Sequence, residues 1–118
     1  MDVHSYNLYV YLDKQDYDFD INNIKKSSRL LCKELELEIC SVSYHVFEAP
    51  YSSKYQISHS GVFLLTTSHL AWHTFPEDDR FHLSISTCGP KISIEKLNSL
   101  IKKLYLGVIH IEHVPFLS

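Results

Sequence analysis

The sequence predicts an α+β fold: a two-layer sandwich in which two helices cover one face of a largely antiparallel β-sheet. Six stretches are rich in β-branched and aromatic residues, and only two carry apolar residues at helical spacing. Their order is β-α-β-β-β-β-α-β, and runs of consecutive strands are typical of antiparallel sheets. A chain of 118 residues has room for one core of this kind, so we expect a single domain spanning 1–118.

Local composition sets the predicted boundaries of these elements. Asp18 or Asp20 is expected to cap the first helix and Ser93 the second, which Gly107 ends. The polar stretch 48–59 is interpreted as a loop with a short strand near 55–57. The predicted elements are strands 6–12, 39–47, 61–67, 68–75, 81–88 and 107–114, and helices 21–36 and 94–104.

Composition excludes several classes of protein. The net charge is −3 and the isoelectric point is near 6.2, whereas a general nucleic-acid binder is basic. The chain contains no apolar run near the ~20 residues of a membrane span, and its N-terminus lacks the pattern of a signal peptide. Three cysteines without a C-x-x-C pair indicate a reducing compartment. We therefore expect a cytoplasmic protein without nucleic-acid or membrane partners.

The histidines do not predict a metal site. His69 and His73 share one face of a predicted strand but lie about 13 Å apart along it. No glutamate follows His69, so the zinc-protease pattern H-E-x-x-H is absent. A zinc-binding module is accordingly a minor alternative, and no metal is expected. The remaining histidines are interpreted as half-buried strand residues bonded to backbone; they include His4, His45, His59 and His110.

Residues 81–88 alternate cleanly between apolar and polar side chains. Phe81, Leu83, Ile85 and Thr87 are expected on the buried face, while the opposite face carries a thiol, Cys88. Taken alone, these features predict an α+β domain with a candidate site within residues 60–88.

Residues 60–89, SGVFLLTTSHLAWHTFPEDDRFHLSISTCG, resemble the prokaryotic S-adenosylmethionine decarboxylase proenzymes. The family pattern is a glycine-flanked apolar strand, then E-S-H, then I-H-T-W-P-E, then D-x-F-T-C-G. The matching words here are TSHLAWHTFPE and SISTCG. The spacings from Ser60 to Ser68, His73, Glu77 and Cys88 fit without gaps. The resemblance implies the fold of that family and a pyruvoyl-dependent decarboxylase of spermidine biosynthesis.

The resemblance also implies how the cofactor arises. The Ser68 hydroxyl attacks the carbonyl of Thr67 to form an ester, and loss of the Ser68 Cα proton then releases the upstream chain as a carboxylate. The dehydroalanine left behind hydrolyses to a pyruvoyl group and ammonia, so the expected products are chains 1–67 and 68–118. The pyruvoyl group forms a Schiff base with the substrate amine, and no pyridoxal phosphate is needed.

Further roles carry over residue by residue. The resemblance assigns proton transfer during processing to His73 and stabilisation of the processing intermediate to Ser60. It makes Cys88 the acid that protonates the carbanion after decarboxylation. Substrate binding is expected at Phe47, Leu70 and Glu77.

Several positions depart from the family pattern and leave the substrate open. Thr67 replaces the usual glutamate, Ser84 the usual aspartate, and Asn7 the usual histidine. Acidic residues 77–79 would suit ornithine or arginine, whereas Phe47 and Trp72 would suit an adenine and a sulfonium. A non-processing regulatory or binding relative is a further alternative, because Thr67 borders the cleavage site. Family members are dimers with sites between protomers, so a homodimer is expected.

Overall fold

The computed structural model of the chain describes residues 3–13, 20–48 and 57–115. Within these ranges the chain forms six strands, two α-helices and one 3₁₀ turn, Pro76–Asp78. The elements are β1 (Val3–Leu12), α1 (Ile21–Glu34), β2 (Ile39–Glu48), β3 (Ile57–Leu65), β4 (His69–Phe75), β5 (Arg80–Cys88), α2 (Ile94–Leu104) and β6 (Val108–Val114).

The six strands form one sheet in the order β2-β3-β4-β5-β1-β6. Every neighbouring pair is antiparallel, so consecutive strands β2 to β5 form a meander, and β1 enters between β5 and β6. The predicted fold class is therefore confirmed, including the order of all eight elements.

The two helices begin at side-chain caps. The Asp20 carboxylate accepts a hydrogen bond from the Asn22 amide at 2.8 Å, which selects it as the cap of α1. Asp18, the other candidate, lies outside the described residues. The Ser93 hydroxyl accepts one from the Lys96 amide at 3.1 Å and caps α2, as predicted.

The core lies between the helices and one face of the sheet. Alternate side chains of the strands, such as Leu8 and Leu83, pack against Leu31 of α1 and Ile101 of α2, and all four are fully buried. This alternation on β5 confirms the two faces predicted for 81–88. Two buried hydroxyls in this layer, Ser28 and Tyr105, share a hydrogen bond of 2.7 Å.

Of the described elements, none covers the opposite surface of the sheet, called here the open face. Strand alternation and the cross-strand register define its side chains. They include Asn7, Tyr9 and Tyr11 on β1, Ser43, His45 and Phe47 on β2, Ser58, Ser60, Val62 and Leu64 on β3, His69, Ala71, His73 and Phe75 on β4, Arg80, His82, Ser84, Ser86 and Cys88 on β5, and His110, Glu112 and Val114 on β6.

Strand β3 begins four residues earlier than predicted. Residues 57–60 pair with β2 instead of forming a loop. The sequence did not indicate this part of the strand, because the partner of its backbone lies on another strand: the Thr74 hydroxyl accepts from the His59 amide at 2.9 Å and donates to the His59 carbonyl at 3.1 Å. The end of β3 was also wrong, since it stops at Leu65 and leaves residues 66–68 as a connection.

Candidate functional site

The expected cleavage site lies in the tight connection between β3 and β4. The Leu65 amide donates to the Ser68 carbonyl at 2.8 Å, and the Thr66 amide donates to the Glu38 carbonyl at 3.0 Å. Thr67 is exposed and Ser68 is half-buried. The two residues of the expected cleavage site thus lie within a connection that backbone hydrogen bonds hold on both sides.

Cys88 lies beside this connection. The β4–β5 register places His69 opposite Ser86, which brings the residues before β4 alongside the end of β5. Thr67 and Cys88 line the same cavity of about 580 Å³. Its other walls come from the residues that follow α1, the end of β5, the connection into α2 and the first turn of α2: Leu35, Glu36, Leu37, Thr87, Gly89, Pro90, Lys91, Ile92, Ser93 and Lys96.

A second group of predicted site residues lies on the open face. Ser60 is the cross-strand partner of His73, and both line a shallow depression of about 420 Å³. The Phe47 ring lies 5.8 Å from the His73 ring, and the Phe75 ring lies 4.6 Å from it. Two aromatic rings therefore adjoin the imidazole that is expected to move protons.

The surroundings of His73 favour its neutral form. Burial lowers the pKa of the imidazole below its ordinary value, and the nearby Glu77 carboxylate partly opposes this by raising it. At neutral pH the imidazole is therefore able to accept a proton, which is the role predicted for it.

The two groups are well separated within one chain. His73 lies four residues beyond His69, the first residue of β4, and this corresponds to about 13 Å along the strand. Cys88 lies six residues along β5 from His82, the cross-strand partner of His73, or about 20 Å. One chain therefore brings the Thr67–Ser68 connection near Cys88, and Ser60 together with His73, but does not join the two groups.

Two residues expected to contact substrate lie in the core instead. Leu70 is fully buried and Trp72 is 2% exposed, both on the helix-covered face of β4. The Trp72 indole donates to His59 Nδ1 at 2.9 Å, so its polar atom is satisfied internally. The Leu70 and Trp72 side chains are therefore unable to reach a ligand on the open face, which corrects both expectations.

Three further side chains, for which no catalytic or substrate-binding role is predicted, extend the open face beyond His73. His82 is its partner on β5, Tyr9 packs on His82 with ring centres 5.5 Å apart, and the Arg80 guanidinium lies 4.2 Å from the centre of the Tyr9 ring. The sequence did indicate the position of His82, because the alternation of β5 predicts that its side chain lies on the same face as Cys88.

The remaining histidines only partly match their interpretation. His4 is half-buried, as expected, whereas His59 is fully buried and its Nδ1 accepts a hydrogen bond from the Trp72 indole. His45 and His110 are exposed. Among residues 3–13, 20–48 and 57–115, no three His, Cys, Asp or Glu side chains lie close enough to hold a metal ion. Neither described helix has the length and hydrophobicity needed to cross a membrane.

Comparison with known proteins gives the same family as the sequence motif. The family model for S-adenosylmethionine decarboxylase matches residues 7–114. The chain belongs to the S-adenosylmethionine decarboxylase family. This membership confirms the predicted resemblance, and the match spans nearly all of the described fold.

Individual members of the family show the extent of the similarity. An S-adenosylmethionine decarboxylase proenzyme of Pyrococcus furiosus is 30% identical over 84 residues, covering 70% of this chain and 60% of the relative. One of Moorella thermoacetica is 34% identical over 76 residues, covering 62% and 55%. The matched residues thus span less than two thirds of these relatives. A crystal structure of the adenosylmethionine decarboxylase from Aquifex aeolicus shares the fold, with a TM-score of 0.64 at 21% identity over 95% of this chain and 85% of that one.

Proposed function

We propose that this protein is a pyruvoyl-dependent S-adenosylmethionine decarboxylase that matures by cleaving its own chain between Thr67 and Ser68. Its product would be the aminopropyl donor for spermidine. The observation that carries the proposal is the position of the Thr67–Ser68 peptide, in a tight turn that shares a cavity with Cys88. Family membership and the similarity to named proenzymes support the same reaction.

The surroundings of the Thr67–Ser68 connection support a group formed at position 68. The Ser68 carbonyl accepts a hydrogen bond from the Leu65 amide, and this bond fixes the direction of the chain through the turn. Cys88 lies at the adjacent end of β5, where a thiol is able to deliver a proton into the cavity. A pyruvoyl group at this position would supply an electron sink for decarboxylation.

Residues of the open face would serve both processing and substrate binding. A neutral His73 would accept the proton lost from the Ser68 Cα, and the Ser60 hydroxyl beside it would stabilise the processing intermediate. Phe47 offers a half-buried ring for stacking on adenine, and the exposed Glu77 offers a carboxylate for the ribose hydroxyls.

A homodimer would unite the two groups. Because Ser68 and His73 lie about 13 Å or more apart in one chain, direct proton transfer between them is excluded there. A two-fold pair of chains would place Ser60 and His73 of one copy beside Ser68 and Cys88 of the other. Each site would then be formed by both chains, as the family resemblance implies.

The mass of the purified full chain tests this proposal. We expect two fragments, 1–67 and 68–118, the second starting with a blocked residue whose mass rises on borohydride reduction. Ser68→Ala should leave one 13.8 kDa chain without decarboxylase activity, while Thr66→Ala, a neighbouring hydroxyl outside the cleaved bond, should still be processed.

Assays with S-adenosylmethionine, ornithine and arginine then identify the substrate. Turnover of S-adenosylmethionine alone would support the proposal. Preference for a basic amino acid would support pyruvoyl-dependent decarboxylation but overturn S-adenosylmethionine as the substrate. An intact wild-type chain would indicate that Thr67 does not support processing, and activity in Ser68→Ala would overturn the pyruvoyl assignment.

A further inference from the structure

Three histidines lie on one line across the open face. His45 of β2 faces Ser60, Ser60 faces His73, and His73 faces His82, each as a direct cross-strand partner. The line continues from His82 to Tyr9 on β1. Because neighbouring strands are about 4.8 Å apart, His73 and His82 are adjacent and His45 lies about 10 Å from His73. We call these three residues the histidine row.

The histidine row is packed among aromatic rings. The ring centres of His45 and Phe47 are 5.9 Å apart, and Phe47 in turn contacts His73 at 5.8 Å. His82 packs against Tyr9 at 5.5 Å. Its Nε2 atom is buried and has no hydrogen-bond partner among the described residues. Buried polar atoms of native proteins generally have partners, so this nitrogen indicates a surface that a further molecule completes.

Few negative charges lie near the histidine row to stabilise its protonated form. In the 3₁₀ turn Pro76–Asp78, the Glu77 carboxylate raises the pKa of His73, whereas Asp78 forms an ion pair with Arg80 at 3.6 Å. Arg80 itself adds a positive charge over the Tyr9 ring. The other titratable groups that face the row from neighbouring strands are His69 on β4, Tyr11 on β1, and His110 and Glu112 on β6.

We propose that two copies of this chain associate through their open faces only while His73 and His82 are uncharged, so that acidification separates them and disassembles the shared site. This inference rests on the proposed function, because the occupant of the open face is the second copy that joins the separated halves of the site. In a two-fold pair, each row would meet the other chain's open face and every added charge would occur twice.

Desolvation of the imidazoles determines whether acidification strengthens or weakens the dimer. Burial lowers the pKa of His73 and His82 in the single chain, and the charge of His73 lowers that of His82 further. A second copy removes more water from both imidazoles, so the pair binds fewer protons than two separate chains. Association is therefore fully favoured above the pKa of these imidazoles in the single chain, which lies below the ordinary value of about 6.5, and it weakens progressively as pH falls through that lowered pKa.

Sedimentation equilibrium of the full chain tests the inference. For the wild type, we expect the dimer dissociation constant to rise at least about tenfold between about pH 7.5 and about pH 5.5. His82→Gln, which removes one titrating group per copy, should reduce this rise. His113→Gln is the matched control: its imidazole bonds to Asn98 at 2.6 Å on the helix-covered side, so the pH dependence should stay as in the wild type.

The outcomes separate the two proposals. Circular dichroism at each pH establishes that the chains stay folded, and the wild-type titration stands even where His82→Gln does not fold. A dimer with the same dissociation constant at both pH values overturns the proton control but leaves the shared site intact. A monomer at both pH values overturns the shared site, and the inference with it. Equal responses of His82→Gln and His113→Gln overturn the role of the row.

Discussion

At the scale of single residues, the pH dependence of processing is set around His73. Burial lowers the pKa of this imidazole, and the Glu77 carboxylate raises it against that trend. In the proposed mechanism the imidazole must be neutral to accept the Ser68 Cα proton. Self-cleavage should therefore persist below the ordinary histidine pKa of about 6.5 and fall off at more acidic pH.

Replacing Glu77 should move this acid limit. In Glu77→Gln the carboxylate that stabilises the imidazolium is gone, so the pKa of His73 falls and the neutral base survives to lower pH. We expect the acid limb of the cleavage rate to shift to lower pH, measured by mass spectrometry of freshly folded chain. Asp78→Asn is the control, because Asp78 pairs with Arg80 and is not among the groups that shift the pKa of His73. An unchanged limb in Glu77→Gln would mean that His73 does not control the rate.

At the scale of elements, the β3–β4 hairpin depends on one contact between a glycine and a tryptophan. A Cβ built on Gly61 would overlap the six-membered ring of Trp72. That ring has no freedom to move, because the indole is 2% exposed and donates to His59 Nδ1. The glycine that precedes the apolar run of β3 is therefore a packing requirement of the hairpin that holds the cleavage site.

Gly61→Ala should consequently destabilise the fold by about 1–3 kcal/mol, the usual effect of overpacking a core. Urea unfolding in the uncleaved Ser68→Ala background measures this with a single chain. Trp72→Phe removes part of the ring that overlaps, so the double variant should lose less stability than the sum of the two single variants. Strict additivity would show that the contact between these residues is not the cause.

The β3–β4 hairpin contains features that the sequence predicts and a strand boundary that it does not. Alternation predicted β5, and the resemblance to the decarboxylase family at Ser60, Ser68, His73 and Cys88 supplied the candidate residues. The start of β3 was missed because Ser58 and His59 are polar yet buried, with the His59 backbone bonded to Thr74. Polarity along a sequence does not reveal such partners, which come from a neighbouring strand.

Register explains why the arrangement of the site was also missed. Ser68 and His73 are five residues apart in sequence, which does not say whether they meet. Only the pairing of β4 with β3 and β5 shows that His73 lies with Ser60, while the Thr67–Ser68 connection lies with Cys88. The burial of Leu70 and Trp72 likewise follows from which face of β4 the helices cover.

At the scale of the whole molecule, this separation predicts complementation between defective chains. Cys88→Ala removes the proposed proton donor at the cleavage end, and Phe47→Ala removes the stacking ring on the open face. Each variant alone should process its chain but turn over substrate poorly. In a mixed dimer, one shared site contains both defects and the other contains none.

Co-expression with two different affinity tags isolates such mixed dimers. They should recover about half of the wild-type activity per dimer, because a two-fold pair has two sites and one of them is intact. If Phe47 and Cys88 instead acted within a single chain, both sites of the mixed dimer would contain a defect, and it would be as inactive as its parents. The same preparation made from two tagged Cys88→Ala chains is the control for activity gained from the tags or from co-expression itself.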